Sequence, residues 1–350
     1  MKNSKFWKLF VSLFTVSLVL AACGATNADE QAGPADVADG EEAARQLSGN
    51  LTVYLPAPAG LADELIAAFQ AKTGVQVVMF QGTTGEILAR LEAEAANPIA
   101  DVVILASWSD GLNLRAQGGL LEYRPDGADL LHPGFASDDN TLFASSASAV
   151  GIAYNTTLVP ELHADWADLA HEDHRDLLAF PDPERSGSAS DFLGGYLNHR
   201  GADETGWATW EGLANNGMII PGPNGPALES VVTGERGILV GGVDWNVFSA
   251  IERGEPINFY YPESGTVINP RPAMILNTTQ NEENAKAFMD FLFSDEAQQL
   301  VVESFLIPGR SDIRSDRRPN VDEINVLDTD WDWSMENSTD INQRFNRLFQ

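Results

Sequence analysis

From residue 51 onward, short apolar runs alternate with amphipathic ones. LTVYLPA (51 to 57) reads as a strand, and LADELIAAFQAKTG (61 to 74) sets Leu61, Leu65, Ala68 and Phe69 on one face of a helix that Gly74 closes. VQVVMF gives a second strand, EILARLEAEAANP a second helix stopped by Pro98, and ADVVILA (100 to 106) a third strand apolar enough to be covered on both faces. Strand, helix, strand, helix, strand predicts an α/β layer fold with parallel strands.

The middle of the chain repeats this grammar. ASAVGIAYN (147 to 155), DLLAFPDP (176 to 183) and RGILVGGVD (236 to 244) read as strands, with helices over 189 to 199 and 205 to 217. INFYYPES and TVINPRPAMIL follow, the second alternating and interrupted by prolines. Residues 283 to 305 carry Ala287, Phe288, Phe291, Leu292 and Val301 for one or two packed helices, and Ile341, Phe345 and Leu348 share a face near the carboxyl end. There is no internal repeat.

The amino terminus is of another kind. MKNSKFWK brings three lysines before the apolar run LFVSLFTVSLVLAA, which is shorter than the roughly 20 residues needed to span a bilayer. This is the pattern of a secretory signal over residues 1 to 22. Its end, Leu20-Ala21-Ala22-Cys23-Gly24, resembles the lipobox of bacterial lipoproteins, which implies that Cys23 is lipidated and anchors the mature chain to the membrane. Cys23 is the only cysteine, so disulfides, cysteine metal sites and a cysteine nucleophile are excluded from the fold. Residues 23 to 48, poor in anything that could form a core, read as the lipidated cysteine and a tether. The formal net charge of -30 excludes nucleic acid as a partner. About 300 residues remain for two domains or lobes of ordinary size.

In order and spacing, LTVYLPAPAG, KTGVQVVMFQGTTGEILARLEAE, NPIADVVILA, GLLEY, GIAYNT, LLAFPDPERSGSA, GERGILVGG, YYPESGTVINPRPAMIL and AKAFMDFLFSDEAQQL resemble the extracytoplasmic solute-binding proteins of ABC importers, in the branch of the ferric-iron binders and their organic-ligand relatives. The resemblance implies a type II periplasmic binding fold. Lobe 1 would be 49 to 145 plus about 270 to 305, and lobe 2 would be 146 to 269 plus about 306 to 350, with a solute cleft and a hinge between them. It also implies a monomer that hands its solute to membrane permease subunits. A sensor for a membrane kinase would use the same closing cleft.

Candidate ligand groups follow from where helices start. Thr83, Thr84 and Gly85, with Glu86, open the helix after the second strand; the N–H groups of residues 84 to 86 are expected to face the cleft. The competing reading is a capping box of Thr83 and Glu86 alone. Ser186, Gly187 and Ser188 repeat the arrangement in the other lobe, and Ser188 with Asp191 is also a capping pair. Ser107 and Trp108 follow the third strand, where Trp108 could stack on a ligand or serve packing. Asp244 and Trp245 end a strand, Asp244 either binding a ligand or capping the next helix. Arg271 is a countercharge for phosphate or else a surface arginine.

Iron binders of this family use tyrosinates directly after the strand that is GILVGG here, where this chain reads Val243-Asp244-Trp245-Asn246. Tyr260 and Tyr261 lie further on, and the loop Pro56-Ala57-Pro58-Ala59 has no histidine, tyrosine or carboxylate. Iron is therefore the alternative reading. YPESGT, containing Tyr261, together with GTTGE and PDPERSGSA, is more similar to the binders of phosphorylated or phosphonate organic solutes. His171 and His174 have metal spacing but no third ligand nearby. No GxSxG, HExxH, P-loop or GxGxxG motif is present, so no catalytic residue, metal or cofactor is assigned, and a binding protein is expected in place of an enzyme.

Overall fold

The computed structural model describes residues 47–349. The signal, Cys23 and all but the last two tether residues lie outside them. Leu47 already packs on the core, and the Ser48 carbonyl accepts from Asn284 Nδ2 at 2.9 Å.

The first lobe is built from β1 (Asn50–Leu55), α1 (Ala59–Thr73), β2 (Gln76–Gln81), α2 (Thr84–Ala93), β3 (Val102–Ile104) and α3 (Trp108–Ala116). Its strands β2, β1 and β3 are parallel. Gly74 ends α1 in the left-handed region at φ 77°, with its N–H on the Gln70 carbonyl. Then β4 (Phe143–Asn155) runs on as 13 buried residues, four longer upstream than its apolar pattern suggests.

The second lobe holds β5 (Leu178–Ala179), α4 (Gly187–Arg200), α5 (Glu204–Asn215), α6 (Asn224–Val232), β6 (Ile238–Val243), α7 (Asp244–Glu252) and β7 (Ile257–Tyr260). The chain returns through β8 (Ile268–Ile275) and adds α8 (Glu282–Leu292), α9 (Asp295–Glu303), β9 (Ile307–Pro308) and α10 (Trp331–Phe349). Ser294 caps α9 by accepting from Ala297 N–H, so residues 283 to 305 form two helices.

Strand order is β2-β1-β3-β8-β4-β6-β5, and the sheet is mixed, because β8 runs antiparallel to both β3 and β4. Two strands join the lobes. β4 pairs with β8 up to Ala149 and with β6 from Val150 on. β8 keeps Pro270 and Pro272 inside a buried strand, because β3 ends at Ile104 opposite Ala273 and leaves that stretch of β8 without a strand on one side. One core gathers Phe69, Val102, Phe288 and Phe291, and another gathers Trp166, Phe180, Phe192, Trp210 and Phe345. α10 docks Ile341 and Phe345 into the second, while Trp331 and Met335 at its start reach a cluster with Trp108 and Leu142.

Candidate functional site

A cavity of about 400 Å³ lies between the lobes at the carboxyl ends of β1, β2, β3 and β6, where open α/β sheets collect ligands. Four helices start on it. Its wall takes Thr83, Thr84 and Glu86 from α2, Arg185, Ser186 and Gly187 from α4, Asn224, Gly225 and Pro226 from α6, and Trp245 and Asn246 from α7. Pro56, Ala57, Gln81 and Ala106 come from strand ends, and Arg271 comes from β8.

Capping accounts for part of two of these helix starts, those of α2 and α4. Thr83 Oγ1 accepts from Glu86 N–H at 3.2 Å while Glu86 Oε2 accepts from Thr83 N–H at 2.8 Å, a complete capping box. Glu86 N–H is thus consumed, contrary to the expectation that it faces the cleft, and among the described residues the N–H groups of Thr84 and Gly85 have no acceptor. On α4, Ser186 Oγ accepts from Ala189 N–H and leaves those of Gly187 and Ser188. α6 starts at Pro223 with no side-chain cap at all. Positive dipole ends therefore converge on one space.

Arg271 is the charge at the floor. It is 4% exposed, its guanidinium donates to the Pro56 carbonyl, and among the described residues no carboxylate forms an ion pair with it. Burial pulls its pKa down to about 10, with the charge of Asp244 opposing, so it stays protonated at neutral pH. Arg318 is similarly buried but pairs with Asp244 at 2.5 Å. An arginine held in low dielectric without a counter-ion is an incomplete ion pair, and an anion in the cavity would complete it. Arg185 stands exposed on the same wall, and Trp245 packs on both cores with its Nε1 buried and unpartnered.

Of the residues singled out from sequence, Thr83, Thr84, Ser186, Gly187, Trp245 and Arg271 line the cavity, whereas the other six face protein. Trp108 is the first residue of α3, 5% exposed and packed in the core with Leu142, so it does not stack in the cleft. Ser107 caps α3, accepting from Asp110 N–H and donating to Asp191 Oδ1 at 2.8 Å. Ser188 Oγ shares a closed network with Ser186 and Asn224, and Asp191, its expected capping partner, instead accepts from Ser107 Oγ and Trp108 N–H. Asp244 is fully buried, accepting from Arg318, Ala149 N–H and Tyr261 Oη. That pairing also fixes Tyr261, whose phenol burial and the Asp244 charge hold well above the ordinary range.

Gly85 lies against the other lobe. A Cβ there would meet the Glu184 carbonyl at 2.6 Å, and one on Gly187 would meet the Ala106 carbonyl, Ser107 Cβ and Thr84 Oγ1, each at 2.8 Å. The starts of α2 and α4 thus touch across the cleft. Arg185, Asn224 to Pro226 and Asn246 escaped the sequence reading. The Pro-Asn-Gly-Pro run at 223 to 226 was an available signal, since proline in a first turn marks a helix start.

Residues 51–305 match the family of bacterial extracellular solute-binding proteins. The chain belongs to that family. As such it is an extracytoplasmic receptor of an ABC importer with the type II periplasmic binding fold. The binding protein is 25% identical over 253 residues to a protein of Salmonella paratyphi A named "Putative 2-aminoethylphosphonate-binding periplasmic protein", covering 70% of this chain and 73% of that one. Its fold matches that of the periplasmic binding protein AfuA of Actinobacillus pleuropneumoniae, solved with fructose-6-phosphate bound, with TM-score 0.79 and 21% identity over 86% of this chain and 98% of that one. Iron-bound HitA of Pseudomonas aeruginosa gives TM-score 0.75 and 20% identity over 85% and 99%. Among the described residues no helix is long and apolar enough to cross a membrane.

Proposed function

We propose that the binding protein captures an organic solute bearing a phosphate or phosphonate group, closes over it by hinge motion, and presents the closed form to its permease. The observation that carries this reading is Arg271, buried without a carboxylate on the floor of a cavity onto which four helices open. The relatives named for 2-aminoethylphosphonate and solved with fructose-6-phosphate support the same ligand class. In this reading Cys23 carries the lipid anchor, the protein works as a monomer without catalysis, and the lobes divide at 145/146, about 270 and about 305. The partner change of β4 between Ala149 and Val150 supports the first division.

Ferric iron fits the cavity poorly. Tyr260 Oη donates to the Ala164 carbonyl and Tyr261 Oη to Asp244, neither tyrosine lines the cavity, and burial raises the pKa of both phenols, which opposes tyrosinate formation. Among the described residues no cluster of three or more His, Cys, Asp or Glu could hold a metal ion.

The test is a thermal-shift screen followed by calorimetry with Fe(III), inorganic phosphate, hexose phosphates and alkyl phosphonates. A solute that binds only the folded state raises the midpoint, by about 2.7 kcal/mol of added stability at a hundredfold excess over Kd. Stabilisation by phosphate-bearing compounds is expected. Stabilisation by Fe(III) alone would overturn the proposal.

A further inference from the structure

Two carboxylates, one from each lobe, share the start of α3. Asp191 of α4 is 1% exposed, and its Oδ1 accepts from Ser107 Oγ at 2.8 Å while its Oδ2 accepts from Trp108 N–H at 2.7 Å. It thus takes the anion position at the start of a helix in the other lobe. Asp110, half-buried, belongs to the same helix start, with its N–H on Ser107 Oγ at 3.0 Å. Among the described residues no lysine, arginine or histidine forms an ion pair with either carboxylate. The other charges on the elements packed against α4 are engaged or turned outward. Arg115 of α3 pairs with Asp139, Arg271 of β8 donates to the Pro56 carbonyl, and Glu204 and Glu211 of α5 pair with Arg344 of α10. The remaining charged side chains of α10 are exposed, as are His199 and Arg200 at the far end of α4, and β4 and β6 carry none.

A carboxylate without a cation, held in low dielectric beside a second carboxylate, resists ionising. Resting on the lobes and the hinge closure proposed above, we propose that closing the cleft takes up a proton at the Asp110–Asp191 pair, so that solute is held more tightly in mildly acidic surroundings and released more readily above neutrality. In the closed form burial, then the charge of Asp110, raises Asp191 to about 7 against the two hydrogen bonds that favour its charged form, and burial raises Asp110 to about 6. Parting the lobes returns both groups to water and to the ordinary carboxylate range near about 4. The raised value belongs to the closed form, so this contribution to closure is fully present below about pH 4 and is lost as pH rises through about 7.

The experiment titrates the full protein and its Asp191→Asn variant calorimetrically with one hexose phosphate at pH 5 and at pH 8. The ester's own ionisation cancels in the ratio of the wild-type Kd to that of the variant, and this ratio is expected to rise about tenfold or more between the two pH values. A ratio constant within twofold overturns the proton coupling while leaving the anion site standing. If Asp191→Asn does not fold, Asp110→Asn replaces it; this variant removes the neighbouring charge and keeps Asp191, so the ratio should rise about threefold, and no rise overturns the coupling. Failure of every phosphate and phosphonate to bind overturns the ligand reading alone. The coupling is then decided without solute, by small-angle scattering of the empty protein: wild type should be more compact at pH 5 than at pH 8 and Asp191→Asn equally compact at both, and a wild type unchanged by pH overturns the coupling.

Discussion

Replacing Arg271 by methionine separates binding from folding. The side chain shares a small cavity with Leu292, Val301 and Leu306, so methionine keeps an apolar stem of similar length there while the charge is lost. In the empty protein the substitution removes a guanidinium that has no carboxylate partner, so no counter-charge is orphaned. The Pro56 carbonyl loses its donor, but Pro56 is only half-buried and water can reach it, which holds the cost below the 1 to 3 kcal/mol of a fully buried acceptor. Against this stands relief from desolvating a charge, so the stability of the empty protein is expected to change by less than about 1 kcal/mol. Binding should behave differently. Truncating one member of a buried, hydrogen-bonded charge pair costs about 2 to 5 kcal/mol, or roughly 30-fold to several-thousand-fold in Kd at 1.4 kcal/mol per decade. Urea unfolding of the empty protein and calorimetry with a phosphate ester measure the two numbers. A change in Kd below threefold, or a loss of stability as large as the loss of binding, would refute the assignment of Arg271 to the ligand.

Three further outcomes follow from the geometry. Gly187→Ala puts a Cβ 2.8 Å from the Ala106 carbonyl and Ser107 Cβ, neither of which can swing aside, so closure should weaken by about 1 to 3 kcal/mol and small-angle scattering should show a liganded form more open than wild type. Asp191, raised to about 7 by burial and then by the charge of Asp110, is held far above its unfolded value; the folded state binds the extra proton, so this group's contribution is present at low pH and is lost as pH rises from about 4 to 7. Asp191→Asn should flatten the fall of the thermal midpoint over that window, and an unchanged slope would contradict it. Asp244→Asn leaves Arg318 unpaired in the interior and should cost about 3 to 5 kcal/mol in urea unfolding, whereas Asp244→Asn with Arg318→Met should recover much of it.

Local signals in the sequence located local structure well. Gly74 closes α1, and Thr83 with Glu86 forms the capping box, because both depend on neighbours three or four residues away. The touching starts of α2 and α4 were foreshadowed by two similar glycine- and hydroxyl-rich stretches. Long-range partners were not legible. Trp108 reads as an aromatic in a turn until α3 and Leu142 enclose it, and Asp244 stays ambiguous until Arg318, 74 residues on, claims it. Arg271 has the inverse history: an arginine between prolines suggests a surface turn, and only the pairing of β8 with β4 buries it. Proline content likewise hides β8, since nothing local tells that β3 stops where the prolines begin.

The two glycines that bring α2 and α4 into contact set a mechanical stop. Backbone meets backbone there, so in the proposed closure the lobes stop at one position, around a cavity that measures about 400 Å³ in this structure. A solute that exceeds it holds the jaws ajar even when its phosphate is well seated. Such a compound would bind without being transported and act as a competitive blocker of uptake, because the permease receives a shape and not a ligand.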